Sequence, residues 1–349
     1  MRTDKLKQAA AKHNLPGTFV VFNPANITYF TDFQGATALL IPEQGDNVLF
    51  VSGVNYEQAK AEVKDLNVQL LKRGENIMEK IAQYAPATQL AVDTLPIESW
   101  RSLAKAVGGE EKLAPANHII RSLREVKDEA EIKLIREACE IADIGMEAAA
   151  QTIREGVTEK QVATEAEYAM RKAGSDGVAF ETIVACNVSC AYPHGTHMER
   201  TIKEGDFVIV DLGATNRFYR SDITRTFVAG KPIMKQKTIY ETVQLAQQKA
   251  FEAVKPQVLA KEIDYAARHL IEDAGFGEFF VHNLGHGVGL EVHEAPILSP
   301  DSKDLLQAGN VVTIEPGIYL PGFGGVRIED TVLVTEVGAE KLTHASYST

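Results

Sequence analysis

Two stretches of the chain place carboxylates directly beside apolar, strand-like runs, and this restricts the folds that it can adopt. In the first, "FVIVDLGATNRFYRSDITRTF", Asp211 follows the run Phe207–Val210 and Asp222 comes eleven residues later. A hairpin with its turn between Asn216 and Arg217 places the two aspartates opposite each other. Like charges that face one another in a core destabilise it unless a cation neutralises them. The stretch therefore predicts a hairpin whose acids have a cationic partner.

The second stretch repeats this arrangement. Glu315 in "VVTIEPG" and Glu329 in "GVRIED" lie fourteen residues apart, and their midpoint is Gly322 in the turn-rich segment "LPGFGGV". A second hairpin is therefore predicted, with a second pair of carboxylates that face each other.

Either arginine side chains or metal ions could neutralise these four acids. Arg225 and Arg327 are close to the acids in sequence, so a salt-bridged core is the structural alternative. Two similar acid pairs, with His286 upstream of the second, favour a dinuclear metal site, since two divalent cations cancel about four negative charges. An oxygen-rich set with one imidazole suits Mn²⁺, Co²⁺, Fe²⁺ or Zn²⁺ better than a thiolate-preferring metal.

The pattern along the chain changes near residue 118 and predicts two domains. A length of 349 residues suits about two domains. Residues 1–118 alternate helical and strand patterns, among them "TFVVFN" and "ATALLI", and predict a compact α/β domain. Residues 119–124 are expected to form a linker. Residues 125–349 combine amphipathic helices with strand-like runs, which predicts an α+β domain in which helices cover an antiparallel sheet.

Charge and composition narrow the partners and the location. The formal net charge is -12, from 48 acids and 36 bases, and such a surface repels nucleic acids and anionic membranes. The first residues, "MRTDKLKQAAAKHN", lack the apolar run of a signal peptide, and no segment approaches the roughly 18 apolar residues of a membrane span. Three cysteines are too few for a disulfide framework. We therefore expect a cytoplasmic protein.

The stretch "HNLGHGVGLEVHEAP" allows three interpretations: a histidine metal cage, a glycine loop for phosphate, or one working histidine. Its histidines and alternating glycines are His282, His286, His293, Gly285, Gly287 and Gly289. The glycine spacing lacks the G-x-G-x-x-G step of dinucleotide-binding loops. We expect small residues here to let the backbone approach a metal centre or substrate closely.

A rival metal site involves the cysteines. Cys186, Cys190, His194 and His197 form a C-x3-C-x3-H-x2-H pattern that superficially suggests structural zinc. The span is very short, and the two histidines are closer together than in zinc fingers. Buried thiols are the interpretation that we favour for the cysteines.

The candidate ligands resemble those of one known family. Asp211 and Asp222 in "DLGATNRFYRSDITRTF", His286 in "LGHGVGLEVHEAP", Glu315 in "TIEPGIY" and Glu329 in "VRIED" resemble, in order and spacing, the ligand set of the "pita-bread" metallopeptidases. That family includes methionine aminopeptidase, aminopeptidase P and prolidase, with creatinase as a metal-free relative. The resemblance runs from about Leu123 to the end, and the preceding domain resembles the N-terminal domain of prolidase and creatinase.

The resemblance implies a role for each residue. It implies that Asp222 and Glu329 bridge two divalent ions, that Asp211 completes one site, and that His286 and Glu315 complete the other. A hydroxide shared by the ions would attack the peptide carbonyl, with Glu315 also acting as the proton shuttle. His194 in "AYPHGTH" and His293 in "VHEAP" match substrate-contacting and catalytic histidines of the family, and Tyr319 and Arg327 match residues near the substrate. Taken alone, three of them have a structural alternative: His194 as a turn histidine, His293 as a core residue, and Arg327 as an arginine that pairs with an acid.

The resemblance also implies a function. It indicates hydrolysis of Xaa-Pro bonds, either in dipeptides, as in prolidase, or in longer peptides, as in aminopeptidase P. The length resembles that of prokaryotic prolidases, so the dipeptidase is the expected class. The expected metal ions are Mn²⁺ or Co²⁺, with Zn²⁺ or Fe²⁺ as alternatives. The expected assembly is a homodimer. A catalytically inactive binding module on the same fold is the alternative from another class, and the intact ligand set argues against it.

Overall fold

The computed structural model describes residues 2–86, 88–195 and 199–347. The chain divides into two compact units, of which the first ends at Arg124 and the second begins at Glu125. In the described part of the chain, no helix is both long and apolar enough to cross a membrane.

The first unit is an α/β domain, as predicted. Its helices are α1 (Arg2–Lys12), α2 (Pro24–Thr31), α3 (Tyr56–Glu62), α4 (Ile77–Tyr84), α5 (Ile97–Val107) and α6 (Asn117–Glu125), with a short 3-10 turn at Glu110–Lys112. Its strands are β1 (Thr18–Val21), β2 (Ala36–Ile41), β3 (Val48–Ser52), β4 (Asn67–Leu71), β5 (Leu90–Val92) and β6 (Leu113–Pro115). They form one mixed sheet in the order β4-β3-β2-β1-β5-β6, in which β2 and β3 pair as an antiparallel hairpin.

Residues 119–124, expected as a linker, are helical. They lie within α6, because Ile119 and Ile120 are buried in the core of the first unit and fix the helix there. The boundary between the units therefore falls at the end of a helix rather than in an extended segment.

The second unit contains longer helices and many short strands. Its helices are α7 (Glu129–Thr152), α8 (Glu159–Lys172), α9 (Met234–Ala253) and α10 (Ala260–Asp273), with 3-10 turns at Asn187–Ala191 and Gly277–Phe279. Its strands are β7 (Gly177–Val178), β8 (Ile183–Cys186), β9 (Phe207–Leu212), β10 (Ala214–Asn216), β11 (Tyr219–Arg220), β12 (Ile223–Val228), β13 (Gly285–Gly287), β14 (Glu294–Leu298), β15 (Val311–Ile314), β16 (Gly317–Leu320), β17 (Gly324–Arg327), β18 (Asp330–Val334) and β19 (Ala339–Lys341).

The strands of this unit pair in an antiparallel manner, as the α+β prediction requires. They form a five-stranded group, β14-β13-β15-β18-β19, two three-stranded groups, β12-β9-β8 and β11-β10-β7, and the hairpin β16-β17. The apolar faces of α7 and α8 share a core with β8, β9 and β12. The faces of α9 and α10 share a second core with β15, β16, β17 and β18. Each main sheet is thus covered by its own pair of helices.

The helix starts follow from local sequence. Asp128 and Glu131 form a capping box at α7, and Thr158 and Gln161 form a second one at α8. Each box satisfies backbone N–H groups that a helix start leaves unpaired.

Candidate metal centre

The first acidic hairpin has its turn centre one residue later than predicted, so its strand pairing is shifted by two residues. In β9 and β12, Asp211 pairs with Thr224 rather than with Asp222, which the same register places opposite Gly213. The reason is a two-residue turn at Arg217–Phe218, where both residues have positive φ (44° and 79°). Such turns match the twist of a hairpin. The two aspartates still share one face of the sheet, as diagonal neighbours.

The second hairpin has the predicted register. Ile314 pairs with Asp330 in β15 and β18, and Gly317 pairs with Arg327 in β16 and β17. Both pairs place the centre of the hairpin at Gly322, which has φ +75° in the turn. The same register sets Glu315 opposite Glu329, where the two flanking ladders meet.

Two threonines that the sequence analysis did not single out hold the acids in place. Thr224 joins the two hairpins: its carbonyl accepts the Glu329 N–H at 3.0 Å, and its hydroxyl donates to Glu329 Oε2 at 2.7 Å. Thr313 accepts the His286 N–H at 3.0 Å and donates to Glu315 Oε1 at 3.2 Å. Each threonine lies two residues from an acid on the same strand face, and this period-2 spacing was the available signal.

The five candidate ligands converge in one cavity of about 840 Å³. They are Asp211, Asp222, His286, Glu315 and Glu329. Possible ligand atoms of Asp222, His286 and Glu329 lie within 4.8 Å of one another. His286 Nε2 is 3.3 Å from Glu315 Oε1 and 3.7 Å from Asp222 Oδ2.

The carboxylates of this cluster are largely buried and repel one another. Burial and the charge of Glu329 raise the pKa of Asp222 well above its usual value. Burial and the charges of Glu315 and Asp211 do the same for the pKa of Glu329. Burial opposes ionisation of Glu315 as well, but the hydrogen bond and charge of His286 outweigh it and bring its pKa to about 2. The cluster therefore holds more negative charge than its protein neighbours compensate.

Arginine neutralises one acid of the cluster. Arg327 Nη2 lies 2.5 Å from Asp211 Oδ2, and Arg327 also donates to Tyr319 Oη and to the Pro193 carbonyl, each at 3.0 Å. The other arginine, Arg225, forms its ion pair with Asp330, which lies outside the ligand set. The salt-bridged alternative thus accounts for Asp211 but not for the other three carboxylates.

The donor set fits divalent cations. Asp211 Oδ1 is buried without a hydrogen-bond partner among the described residues, so it is available as a ligand. His286 Nδ1 donates to the Gly287 carbonyl at 3.1 Å, and this leaves Nε2, which faces Glu315 and Asp222, as the nitrogen that can bind a metal ion. Carboxylate oxygens with one imidazole suit Mn²⁺, Co²⁺, Fe²⁺ or Zn²⁺.

The predicted substrate residues separate into two groups. His194, His293 and Arg327 line the cavity, and the rings of His286 and His293 lie 4.3 Å apart. Tyr319 is buried and outside the set of lining residues; its hydroxyl accepts from Arg327 and lies 2.8 Å from His282 Nε2. Burial and the positive charge of His286 lower the pKa of His293, which favours its neutral form.

The glycines of the histidine stretch allow neighbouring strands of the sheet to pack closely. A side-chain carbon at Gly285 would lie 2.1 Å from the Thr313 carbonyl oxygen, and one at Gly287 would lie 2.2 Å from that of Ala295. The close approach shown here is to the neighbouring strands β15 and β14, and the expected approach to a metal centre or substrate stays a prediction. The cause is the central position of β13 between these two strands.

The rival cysteine site is not formed by the described residues. Cys186 and Cys190 are buried, and the Cys190 thiol donates to the Ala185 carbonyl at 3.0 Å. Among the described residues, the clustered metal-ligand atoms include no cysteine. His197, the fourth member of the pattern, lies outside the described residues.

The fold and the acid cluster together are those expected of a metal-dependent hydrolase that is preceded by an N-terminal α/β domain. The pattern of metallopeptidase family M24 matches residues 133–336, and that of the creatinase/prolidase N-terminal domain matches residues 2–126. The chain belongs to metallopeptidase family M24, and this membership implies divalent metal ions as cofactors. The predicted family and fold class are confirmed.

Individual relatives resemble the whole chain. An Xaa-Pro dipeptidase from Pyrococcus furiosus is 42% identical over 348 residues, which are 98% of this chain and 97% of the relative. The crystal structure of the prolidase from Pyrococcus horikoshii OT3 matches with a TM-score of 0.93 at 39% identity, over 99% of each chain. An X-Pro aminopeptidase structure from Thermotoga maritima matches with a TM-score of 0.89 at 34% identity, over 100% of each chain.

Proposed function

We propose that this chain is a dinuclear metallopeptidase that hydrolyses the Xaa-Pro bond of dipeptides. The observation that carries the proposal is the convergence of four carboxylates and His286 in a cavity that His194 and His293 also line. The prolidases and the Xaa-Pro dipeptidase among the relatives support the substrate class.

Five side chains would hold two divalent cations, with Mn²⁺ or Co²⁺ preferred over Zn²⁺ or Fe²⁺. In this proposal Asp222 and Glu329 would be shared by both ions, Asp211 would belong to one site, and His286 and Glu315 would belong to the other. When bound, the ions supply Lewis acidity that polarises the peptide carbonyl and activates a water molecule. Their charge also offsets the repulsion among the buried acids.

The remaining steps belong to the side chains of the cavity. Glu315 is partly exposed to the cavity and lies beside His286, so it would accept the proton of the attacking water and pass it to the leaving nitrogen. His293, neutral and close to His286, can donate a hydrogen bond to the peptide carbonyl as negative charge develops on it. His194, which also lines the cavity, would hold the substrate.

Arg327 and Tyr319 would act mainly through Asp211. The Arg327 guanidinium is committed to Asp211, Tyr319 and the Pro193 carbonyl, and this arrangement fixes the Asp211 carboxylate. Arg327 also lines the cavity, so it can attract the substrate carboxylate without giving up these bonds. Tyr319 then contributes by holding Arg327 and His282.

An Xaa-Pro aminopeptidase that acts on longer peptides is the second candidate. The likeness to the X-Pro aminopeptidase from Thermotoga maritima favours it, and so does a cavity of about 840 Å³, which has room for more than two residues.

Product analysis separates the two candidates. Chelator-treated protein is supplied with Mn²⁺ and incubated with Ala-Pro or with Ala-Pro-Ala. The proposal expects hydrolysis of Ala-Pro only, whereas cleavage of the tripeptide after alanine would establish the aminopeptidase. Asp222→Asn should abolish activity, and Asp301→Asn, which changes an exposed acid outside the cavity lining, should retain it. Equal activity of Asp222→Asn and wild type would refute the metal-dependent mechanism.

We further propose a homodimer and a cytoplasmic location. The homodimer rests on the family resemblance, and light scattering of the purified protein tests it directly. The location is supported by three cysteines that are all free thiols.

A further inference from the structure

A buried charged cluster lies directly behind the candidate metal ligands, and the proposed mechanism does not use it. Arg225 and Asp330 are at most 1% exposed, and their N–O distance is 2.8 Å. Asp330 follows the candidate ligand Glu329 in the sequence. Buried ion pairs are weak evidence for stability, so a cluster of this kind invites another explanation.

The Arg225 guanidinium connects a metal ligand to a distant segment. Its Nη1 donates to the backbone carbonyls of Glu329 at 2.6 Å and Thr224 at 3.0 Å. Its Nε and Nη2 donate to the Ala345 carbonyl at 3.1 and 2.8 Å. The guanidinium also lies 4.4 Å from the centre of the Tyr347 ring. One planar group therefore fixes the Glu329 backbone relative to residues 342–347, which we call the 342–347 clasp.

A second connection reaches Asp222. The Thr331 hydroxyl donates to the Asp222 carbonyl at 2.7 Å. Thr331 is itself bound to the clasp, because its carbonyl accepts the Leu342 N–H at 2.8 Å and its N–H donates to Thr343 Oγ1 at 3.2 Å. The backbone carbonyls of both candidate bridging acids are therefore held by groups that the clasp anchors.

The clasp is firmly attached to the second unit. The N–H groups of His344 and Ala345 both donate to the Asp143 carboxylate at 2.8 Å. The Tyr347 hydroxyl donates to Asp330 Oδ2, and Thr343 Oγ1 donates to Asp330 Oδ1 at 2.9 Å. A segment with this many bonds can transmit position rather than merely cover a surface.

The bridging acids need such support. Asp222 precedes β12, and Glu329 lies between β17 and β18, so neither lies within a named strand. Their carboxylates also repel each other across the site. Bonds to their carbonyls from the side opposite the cavity set the backbone from which both carboxylates extend.

We propose that Arg225 and Thr331, anchored by the 342–347 clasp, are positioning residues that hold Glu329 and Asp222 for binding of the cations. The inference rests on the metal centre of the proposed function and adds to it a part of the chain outside the ligand set. Groups that orient metal ligands typically change metal affinity about 10-fold to 100-fold when they are removed.

The test measures the dissociation constant for Mn²⁺ of chelator-treated protein by calorimetric titration, at a temperature where the metal-free protein is folded. One variant stops after His344, which removes Ala345 and Tyr347 but keeps the bonds of Thr343. The other is Thr331→Val, which has nearly the same shape but no hydroxyl, with Thr331→Ser as the conservative replacement that restores it. Glu340→Gln is the matched control. Glu340 lies in β19, the strand next to that of Thr331, and the substitution breaks its half-exposed ion pair with Arg136, in which the N–O distance is 2.8 Å.

We expect the dissociation constant to rise about 10-fold or more in the shortened chain and in Thr331→Val, and to stay near the wild-type value in Thr331→Ser and Glu340→Gln. Unchanged Mn²⁺ affinity in Thr331→Val, with only a lower unfolding temperature, would overturn the positioning role. If the shortened chain does not fold, Thr331→Val decides the question alone. Failure of the wild type to bind Mn²⁺ would instead refute the proposed metal centre, so the two failures are distinguishable.

Discussion

Replacing Lys127 by methionine removes one partner of a buried ion pair and leaves a charge in the protein interior. Lys127 Nζ lies 3.3 Å from Glu294 Oε2, and the two side chains are only 1% and 6% exposed. Breaking such a pair from one side costs about 3–5 kcal/mol. Glu294 keeps the Glu291 N–H at 2.9 Å, so we expect a value near the lower end, about 3 kcal/mol.

Thermal unfolding of metal-free protein measures this cost without stabilisation by bound ions. For a folding unit of about 150–250 residues, each 1 kcal/mol lowers the unfolding temperature by roughly 2–4 °C, so Lys127→Met should lower it by about 6–12 °C. Lys249→Met is the control, because its pair with Glu252 is half-exposed on both sides and contributes about 0–1 kcal/mol.

The double variant Lys127→Met with Glu294→Gln tests the cause. Glutamine carries no charge and can still accept the Glu291 N–H, so the double variant should recover at least about 1 kcal/mol relative to Lys127→Met. A Lys127→Met variant no less stable than Lys249→Met, or a double variant whose losses simply add, would refute the argument that the buried Glu294 charge, deprived of its Lys127 partner, sets the cost.

Three further predictions concern the core and the metal site. Without metal, Asp222→Asn should be more stable than wild type by roughly 1 kcal/mol in urea unfolding, because it relieves repulsion with Glu329; a less stable variant would contradict this. Burial raises the pKa of Cys190 to about 12, so iodoacetamide at pH 8 should leave it unmodified in the native protein and label it after unfolding, as mass spectrometry would show. Gly285→Ala should lose at least about 1–3 kcal/mol, since the new carbon would meet the Thr313 carbonyl; wild-type stability in the same assay would contradict the close approach of the two strands.

The second hairpin shows what the sequence can reveal. Its turn contains glycines at the midpoint between Glu315 and Glu329, so arithmetic on the sequence finds the true register. In the first hairpin the turn was predicted one residue too early, because its turn residues, Arg217 and Phe218, adopt positive φ without the usual asparagine or glycine. Register depends on turn conformation, and here the turn residues do not indicate it.

Polar contacts between residues that are far apart in the chain could not be predicted from the sequence. Lys127 and Glu294 are 167 positions apart, and Arg225 and Ala345 are 120 apart. Periodicity reports which face of an element is buried, but it carries no information about which distant polar group meets it there. The candidate ligands, by contrast, could be found from the sequence. They lie next to strand-like apolar runs, where a buried charge requires a neutralising partner.

The central claim is that this cavity holds two divalent cations through a shared pair of acids. The most direct measurement is the number of Mn²⁺ ions retained per chain after chelator-treated protein is saturated and freed of excess metal, determined by elemental analysis. The account predicts two ions for wild type and a loss of bound metal in Asp222→Asn. A wild-type protein that retains none, or an Asp222→Asn variant that retains as many as wild type, would contradict it.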